Sequence, residues 1–467
     1  MDNINIRDFH NKTIHMVGIG GSSMSGLALM LMELGYKVQG SDGAESYIVD
    51  MLRNKGIEVI VGHSASNIKG ANLLAYSAAI AESNPERKAA LEQGVPQIER
   101  RDLLGQIMDA YGCNICVCGT HGKTTTSAII AKLLIDAGLD PGVHIGGMAD
   151  EIGGSTRVGK RTYFVAEACE FRESFMSMRP NIAVLMNVRE DHLDYYRDID
   201  HIESTFAKFA NKLQDPALLI ANGDDMRARR IAETHKNSVL FGFNNDNDYY
   251  PENISVNNRG CASFDVIEHG KKATRINLSV PGHIQIVDAV AAFAVSQSLG
   301  IDPEIAAKSI SGFHGVHRRF ELTGVYDGVS VYHDYGHNPE EMLQVLQTAK
   351  SLPHNRLWAV MQPHTFSRVK RLFKDYIHCT SPADITLVTD ICAAREVDPG
   401  DIHSMDLVNA MKKEGVNVVY TPSFDDTEKY LIEHWQEGDI VLTMGCGDIN
   451  KLNIQMEKHL GDKHSSL

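Results

Sequence analysis

The densest chemical signal in the chain is the run ICVCGTHGKTTTSAIIAKLLIDAG. There Gly119, Thr120, His121, Gly122, Lys123, Thr124 and Thr125 sit between an apolar strand and a helix that Gly138 ends. Glycines at such a turn let backbone N–H groups curl around phosphate oxygens, and a helix N-terminus adds partial positive charge. A lysine at this place reaches the β- and γ-phosphates, and the hydroxyl after it can coordinate Mg²⁺. In the full-length motif a first glycine stands five residues before the second. Here that position is Val117, so the loop is a shortened variant. The pattern predicts a nucleoside triphosphate site; the plainer reading is a glycine turn that caps a helix.

Phosphoryl transfer also needs an acidic metal ligand at the end of a neighbouring strand. The run Thr162–Ala166 leads to Glu167 and then Glu170, and Ile182–Asn187 leads to Asp191 and His192. Each alone reads as a solvated strand end; beside a Lys-Thr phosphate loop each becomes a candidate ligand. A second glycine loop, Gly18, Ile19, Gly20, Gly21, Ser22, Ser23, follows a strand and opens a helix, with Asp42 some twenty residues on. That resembles a dinucleotide fingerprint, whose acid takes a ribose hydroxyl. Ser23 stands where the third glycine belongs, so the loop points to a bound nucleotide pyrophosphate without identifying the nucleotide. A tight turn with close helix–strand packing is the alternative.

The elements that must hold these loops alternate throughout. Short β-branched runs and helical patterns follow one another, as βαβ units and parallel sheets require. The first strand is Thr13–Gly18, the first helix Ser25–Leu34, stopped by Gly35, and the second strand Lys37–Gly40 delivers Asp42. Further on, strands are expected at Asn114–Cys118, Val329–Tyr332, Leu357–Met361, Ile385–Thr389, Val416–Tyr420 and Ile440–Thr443. Polar loops follow several of them: HDYGHNP, QPHTFSR, DICAARE and GCGD. In open α/β sheets the ligand crevice lies outside the carboxyl ends of the strands. No solenoid repeat or low-complexity tract interrupts the pattern. The expected division is 1–108, 109–315 and 316–467.

Composition narrows the function classes. At roughly 100–200 residues per domain, 467 residues accommodate two to four domains. Apolar residues at 43% and charged residues at 22% exclude wholesale disorder. The 60 acidic against 45 basic residues give a formal charge of −15, which disfavours nucleic-acid binding. A polar amino terminus and the lack of a long apolar run predict neither a signal peptide nor a membrane span. Cys113, Cys116 and Cys118 cluster, but no second CxxC or spaced His pair completes a zinc site. They read as buried thiols, and the cytoplasm is the expected compartment.

Taken in order, GIGGSSMSG, GHSASNI with His63, CGTHGKTTT, EACE, NVREDHLDYY, HRRFE, HDYGHNP, QPHTFSR and GCGDI resemble the Mur ligase family over residues 13–450. The resemblance implies an α/β chain of three domains: a Rossmann-like N-terminal domain for a UDP-sugar, a central P-loop ATPase domain with a parallel sheet, and a C-terminal Rossmann-like domain that closes on both. It implies ATP and Mg²⁺ as cofactors, UDP-N-acetylmuramate and L-alanine as substrates, and a monomer or weak homodimer. ATP would phosphorylate the lactyl carboxylate, and the amine would attack the acyl phosphate. By the family pattern, Gly119 to Thr125 would bind ATP, and Lys123 would stabilise the transferring phosphoryl group. Thr124 and Glu170 would hold one Mg²⁺, and His192 a second. Arg319 would reach ATP phosphates, with Asp334 and His337 completing catalysis. Gly18, Gly20, Gly21, Ser22, Asp42, His63, His364 and Arg368 would bind substrate.

The chain departs from the family pattern at several places. Arg189 stands where an acid is usual, and Ile284, Gln285 and Asp288 replace a His-Asn pair and a later Asn near the adenine. Cys169 and His333 replace acids, Thr365 an arginine, and Asn338 a histidine. These positions bear on nucleotide identity and on recognition of the substrate's anionic groups. A non-catalytic binding paralogue and a ligase with a peptide acceptor are the competing readings. A nicotinamide dehydrogenase would leave the Lys123 loop unexplained.

Overall fold

The structure is a computed structural model that describes residues 4–192, 195–394 and 396–461. Leu193 and Asp194 of NVREDHLDYY, Arg395 of DICAARE and the last six residues of the third expected domain lie outside the described residues. The first sheet is built from β1 (Thr13–Val17), β2 (Lys37–Asp42), β3 (Glu58–Val61), β4 (Leu73–Tyr76) and β5 (Gln97–Glu99). Its helices are α1 (Ser22–Glu33), α2 (Tyr47–Asn54), α3 (Pro85–Glu92) and α4 (Arg100–Met108). The strand order is β3-β2-β1-β4-β5 and all pairings are parallel. The order reverses between β1 and β4, which is where an open α/β sheet leaves its crevice.

The second sheet contains β6 (Cys113–Cys118), β7 (Gly142–Ala149), β8 (Gly154–Arg157), β9 (Tyr163–Glu167) and β10 (Ile182–Leu185). It continues through β11 (Leu218–Asn222), β12 (Ser238–Phe241), β13 (Tyr249–Val256), β14 (Cys261–Glu268) and β15 (Lys271–Pro281). Its helices are α5 (Lys123–Asp136), α6 (Ile199–Ala210), α7 (Met226–Glu233), α8 (Ile284–Ser298) and α9 (Pro303–Ser311). The order β15-β14-β13-β12-β11-β10-β6-β9-β7-β8 puts β6 between β10 and β9, parallel to both. A strand flanked this way is covered on both faces and reads as a continuous apolar run. Cys116 and Cys118 accordingly belong to the buried core, and all eight cysteines are free thiols.

The third sheet consists of β16 (Glu321–Tyr326), β17 (Val329–Asp334), β18 (Leu357–Met361), β19 (Ile385–Val388), β20 (Val418–Tyr420) and β21 (Ile440–Met444). The helices around it are α10 (Pro339–Lys350), α11 (Phe366–Arg371), α12 (Phe373–His378), α13 (Ser404–Lys413), α14 (Phe424–His434) and α15 (Asn450–Leu460). Strands run in the order β16-β17-β21-β18-β19-β20, with β16 antiparallel and the rest parallel. Apolar layers cover both faces, one centred on Met342, Leu346 and Leu407, the other on Trp358, Leu431 and Leu452.

The chain clusters into two compact units. One comprises Met1–Asn253, Phe264–Asn277 and Ile286–Phe313, the other Ile254–Ser263, Leu278–Gln285 and His314–Leu467. Some expected boundaries shift. Helix α1 opens at Ser22 because Gly21 takes the N-cap position, and the strand expected from Val416 begins at Val418. Antiparallel β8 and β16, and the strands β13 to β15, have no counterpart in the βαβ reading.

Candidate active site

Strand β6 delivers the phosphate turn. Gly119 has φ +133° and Gly122 φ +83°, a region that favours glycine. Space excludes a side chain as well: a Cβ on Gly119 would lie 3.0 Å from the Asn187 amide nitrogen. Gly122 is the N-cap of α5, whose first turn carries no side-chain cap and no acidic residue. That terminus keeps its dipole available for an anion. Asn187, just after β10, clamps the turn: its Oδ1 accepts from the His121 N–H at 2.9 Å and its Nδ2 donates to the His121 carbonyl at 3.1 Å. Thr120 is held in turn by the backbone of Arg189, whose N–H donates to its Oγ1 at 2.9 Å.

Lys123 folds over this turn. Its Nζ donates to the carbonyls of Gly119 at 2.6 Å and Thr120 at 2.9 Å, and stands 3.0 Å from Glu170 Oε2. Burial by itself would discharge the ammonium, but the Glu170 carboxylate foremost, then Cys169 and Glu167, more than offset it and raise the pKa above the ordinary lysine value. The side chain is therefore held as a cation at the turn. Thr124 Oγ1 donates to Glu167 Oε2 at 2.8 Å, and the Gly146 N–H reaches the same oxygen at 2.8 Å. Thr125 lies buried in the first turn of α5.

Glu170, 2% exposed, bridges Lys123 to a second group of ligand atoms. Glu170, Asp191 and His192 bring one ligand atom each within 4.8 Å of one another. His192 adopts φ +50°, and its ring lies 4.7 Å from that of Phe171. Two carboxylates and one imidazole form an oxygen-rich set suited to a hard divalent cation. The spacing of the strand ends pointed to all four side chains, Glu167, Glu170, Asp191 and His192, but not to the division between them. In this geometry Thr124 pairs with Glu167, while Asp191 joins Glu170 and His192. Asp288, one of the departures from the family pattern, enters from α8, where Thr126 Oγ1 donates to its Oδ1 at 3.1 Å. A Cβ on Gly122 would stand 2.9 Å from that same oxygen.

In the first sheet, Gly18 (φ +76°) leaves β1 and packs toward Ser77 and Ile80 beyond β4, across the switch point. The Gly20 N–H donates to Asp42 Oδ2 at 2.8 Å, so the acid at the end of β2 also shapes the glycine loop. Gly21 caps α1 without a side-chain hydrogen bond and Ser22 begins the helix. His63 lies beyond the end of β3, with Nδ1 3.3 Å from Glu86.

The remaining site candidates lie in the second unit. Asp334 ends β17 and is buried; its Oδ2 accepts from the Phe320 N–H at 2.8 Å and its Oδ1 from the Gly336 N–H at 2.6 Å. It thereby ties the segment after Arg319 to the HDYGHNP loop. Burial pushes its pKa up against the opposing charge of Arg319. The Arg319 guanidinium lies 5.1 Å from the centre of the Tyr335 ring. His337 and His364 approach with ring centres 6.0 Å apart, and Tyr376 Oη donates to the His337 carbonyl at 2.6 Å. Arg368 keeps a buried Nη1 without a hydrogen-bond partner among the described residues, an atom suited to an incoming anion. Two departures have local roles: His333 Nε2 accepts from Arg318 Nε at 3.1 Å, and Asn338 forms a capping box with Glu341 at the start of α10.

Comparison with known proteins places the chain by family and fold. Residues 13–112 match the profile described as Mur ligase family, catalytic domain. Residues 117–296 match the Mur ligase middle domain, and residues 318–447 the Mur ligase, glutamate ligase domain. A UDP-N-acetylmuramate–L-alanine ligase of Caldanaerobacter subterraneus is 44% identical over 439 residues, 94% of this chain and 95% of that protein. The enzyme of the same name from Acetivibrio thermocellus is 41% identical over 466 residues, 99% of each chain. The crystal structure of UDP-N-acetylmuramate–alanine ligase MurC from Thermotoga maritima superposes with a TM-score of 0.81 at 29% identity, covering 97% of this chain and 99% of that one. With all three profiles matched in order and relatives above 40% identity along nearly its whole length, this chain belongs to the Mur ligase family.

Proposed function

We propose that the chain is an ATP-dependent ligase that joins L-alanine to the lactyl carboxylate of UDP-N-acetylmuramate, a step of peptidoglycan precursor synthesis. The near full-length likeness to ligases named for that reaction carries the reading, and the Lys123 turn supplies a chemistry for it. A carboxylate is a poor electrophile. Transfer of the γ-phosphoryl group to one of its oxygens, with ADP leaving, converts it to an acyl phosphate. The amine of L-alanine then attacks the carbonyl carbon, loses a proton, and expels inorganic phosphate as the amide forms. Catalysis here is the stabilisation of charge on anions that repel one another. The amides of Gly119 to Thr125 would cradle the phosphates, and Lys123 would exchange its contacts with the turn carbonyls for phosphate oxygens. Glu170, Asp191 and His192 would hold Mg²⁺, which neutralises phosphate charge when bound.

The roles of Arg319, Asp334, His337, His364 and Arg368 in phosphate and substrate binding, and of Gly18, Gly20, Gly21, Ser22, Asp42 and His63 in binding the UDP-sugar, belong to the same proposal. So do the division at 1–108, 109–315 and 316–467, a cytoplasmic location and a monomer or weak homodimer. No helix among the described residues is long and apolar enough to cross a membrane. The test is phosphate release from purified protein supplied with UDP-N-acetylmuramate, L-alanine, ATP and Mg²⁺, each omitted in turn. Release is expected only with all four. Amino-acid-independent release, or preference for a tripeptide over L-alanine in direct competition, would overturn the reading.

A further inference from the structure

The first sheet encloses a carboxylate that no step above uses. Glu86, on the first turn of α3, is fully buried, and no lysine or arginine among the described residues forms an ion pair with it. It is instead surrounded by donors from four other segments. Ser41 Oγ of β2 lies 2.6 Å from Oε2, and His15 Nε2 of β1 lies 3.0 Å from the same oxygen. Asn67 Nδ2 lies 2.7 Å from Oε1, and His63 Nδ1 and the Ser64 N–H each lie 3.3 Å from it. Burial on its own would raise the carboxyl's pKa, yet hydrogen bonds from His15, Ser41 and Asn67 outweigh it and bring the value to about 2. Glu86 is therefore an ionised acceptor in a place where a charge is costly.

Counting donors and acceptors in this cluster places a proton on His63 Nδ1. A carboxylate only accepts, and a side-chain amide nitrogen only donates. Gln39 Nε2, 3.3 Å from His15 Nδ1, must donate to it, so His15 carries its proton on Nε2 and gives it to Glu86. Ser41 has one hydroxyl proton, and the short contact directs it to Glu86. Ser41 thus has no proton left for His63 Nδ1, which stands 3.3 Å from it. His63 Nδ1 must then bear a proton and donate it to Glu86. In a neutral ring that leaves Nε2 bare. Nε2 has no partner among the described residues and faces Gly43, where a Cβ would lie 3.9 Å away. Gly43 directly follows Asp42 at the end of β2. In a doubly wound sheet the acid at the end of the second strand marks the ribose, so the ring beyond β3 lies on the side of the base.

We propose that Glu86 is a positioning residue that holds His63 with Nε2 bare, as a hydrogen-bond acceptor for a donor group on the nucleoside end of the UDP-sugar. The inference rests on the reading of this crevice as the UDP-sugar site. The donor is the uracil N3–H or a ribose hydroxyl. The two are separable, because cytosine carries no proton at N3.

Long-range ¹⁵N–¹H correlation NMR of the full-length chain, with His63→Asn to assign the ring, reads the tautomer directly. Nδ1 is expected to be protonated and Nε2 bare. In Glu86→Ala, which removes the carboxylate and frees the Ser41 hydroxyl proton for Nδ1, the protonation is expected to reverse. Calorimetry should then show UDP binding about tenfold weaker in Glu86→Ala and in His63→Ala, as expected for one lost hydrogen bond. The double variant should be no weaker than His63→Ala. The KM for UDP-N-acetylmuramate should rise with it, while the KM for ATP does not. A loss for UDP but not CDP assigns the donor to the base, and equal losses assign it to the ribose. A protonated Nε2 in the wild-type chain overturns the inference even if Glu86→Ala fails to fold. So does a folded Glu86→Ala that binds UDP as wild type does. A wild-type chain that binds no UDP-N-acetylmuramate would overturn the ligase reading, and this inference with it.

Discussion

At the scale of single residues, two buried charges dominate the candidate site. Lys123 stands directly on the glycine turn, and the neighbouring Glu170 raises its pKa and so keeps it charged. Lys123→Ala is expected to lower kcat by about 100- to 1000-fold, the cost of removing one preorganised contact to developing charge. Thermal stability should fall too, because Glu170 is left buried without its counter-charge. Steady-state kinetics and a melting curve check both. Asp288 behaves in the opposite way. Burial raises its pKa to about 7, against the opposing hydrogen bond from Thr126. The folded chain therefore holds that proton more tightly than the unfolded chain, and stability falls as pH rises from about 4 to about 7. Asp288→Asn is expected to flatten this slope and to melt higher than wild type at pH 8. Its nucleotide affinity should also fall less above pH 7, since the wild-type carboxylate charges up beside Gly122. Melting temperature and calorimetric affinity measured across pH would refute this if the two proteins ran parallel.

At the scale of elements, close approach matters more than apolar area. Helix α4 reaches the segment Phe171–Ser177 through Gly105, where a Cβ would lie 2.2 Å from the Ser177 carbonyl oxygen. The atom it would strike is backbone, which has no rotamer to move aside. Gly105→Ala is expected to destabilise by about 1–3 kcal/mol, the usual cost of overpacking, despite alanine's higher helix propensity. Denaturant unfolding gives the sign, and a stabilised variant would show that the two segments separate freely. The same segment begins one residue after Glu170, so nucleotide affinity should weaken along with stability. The Asn338 capping box shows how a departure in the family pattern can be spent on local structure: Asn338 Oδ1 accepts from the Glu341 N–H to cap α10, and Glu341 Oε2 accepts from the His337 N–H in the turn before it.

At the scale of the whole molecule, the two compact units each carry their own apolar core. Calorimetry is expected to show unfolding broader than one two-state transition. ADP with Mg²⁺ should raise chiefly the component that contains the Lys123 turn, by about 2.7 kcal/mol at a hundredfold excess over Kd. One sharp transition that shifts as a whole would show instead that the units unfold together. The net charge of −15 makes local cations and bare amides the means of attracting anionic substrates, since the overall field repels them.

The amino-acid sequence by itself determined the succession of strands and helices, the phosphate turn with Lys123 and the strand ends from which acids could reach it. Those are local properties: a strand period, a glycine that permits positive φ, a helix start. Tertiary structure alone decided which acid meets which partner. Glu167 meets Thr124 and Glu170 meets Lys123 because β9 lies directly beside β6, and Asn187 clamps the turn because β10 lies on the other side. Glu86 shows the limit most clearly. In the sequence it is an acid on the first turn of a helix, indistinguishable from a solvated one. Only the stacking of β1, β2 and α3 surrounds it with donors, because hydrogen-bond partners depend on which strands become neighbours, and strand order is not written in any local pattern.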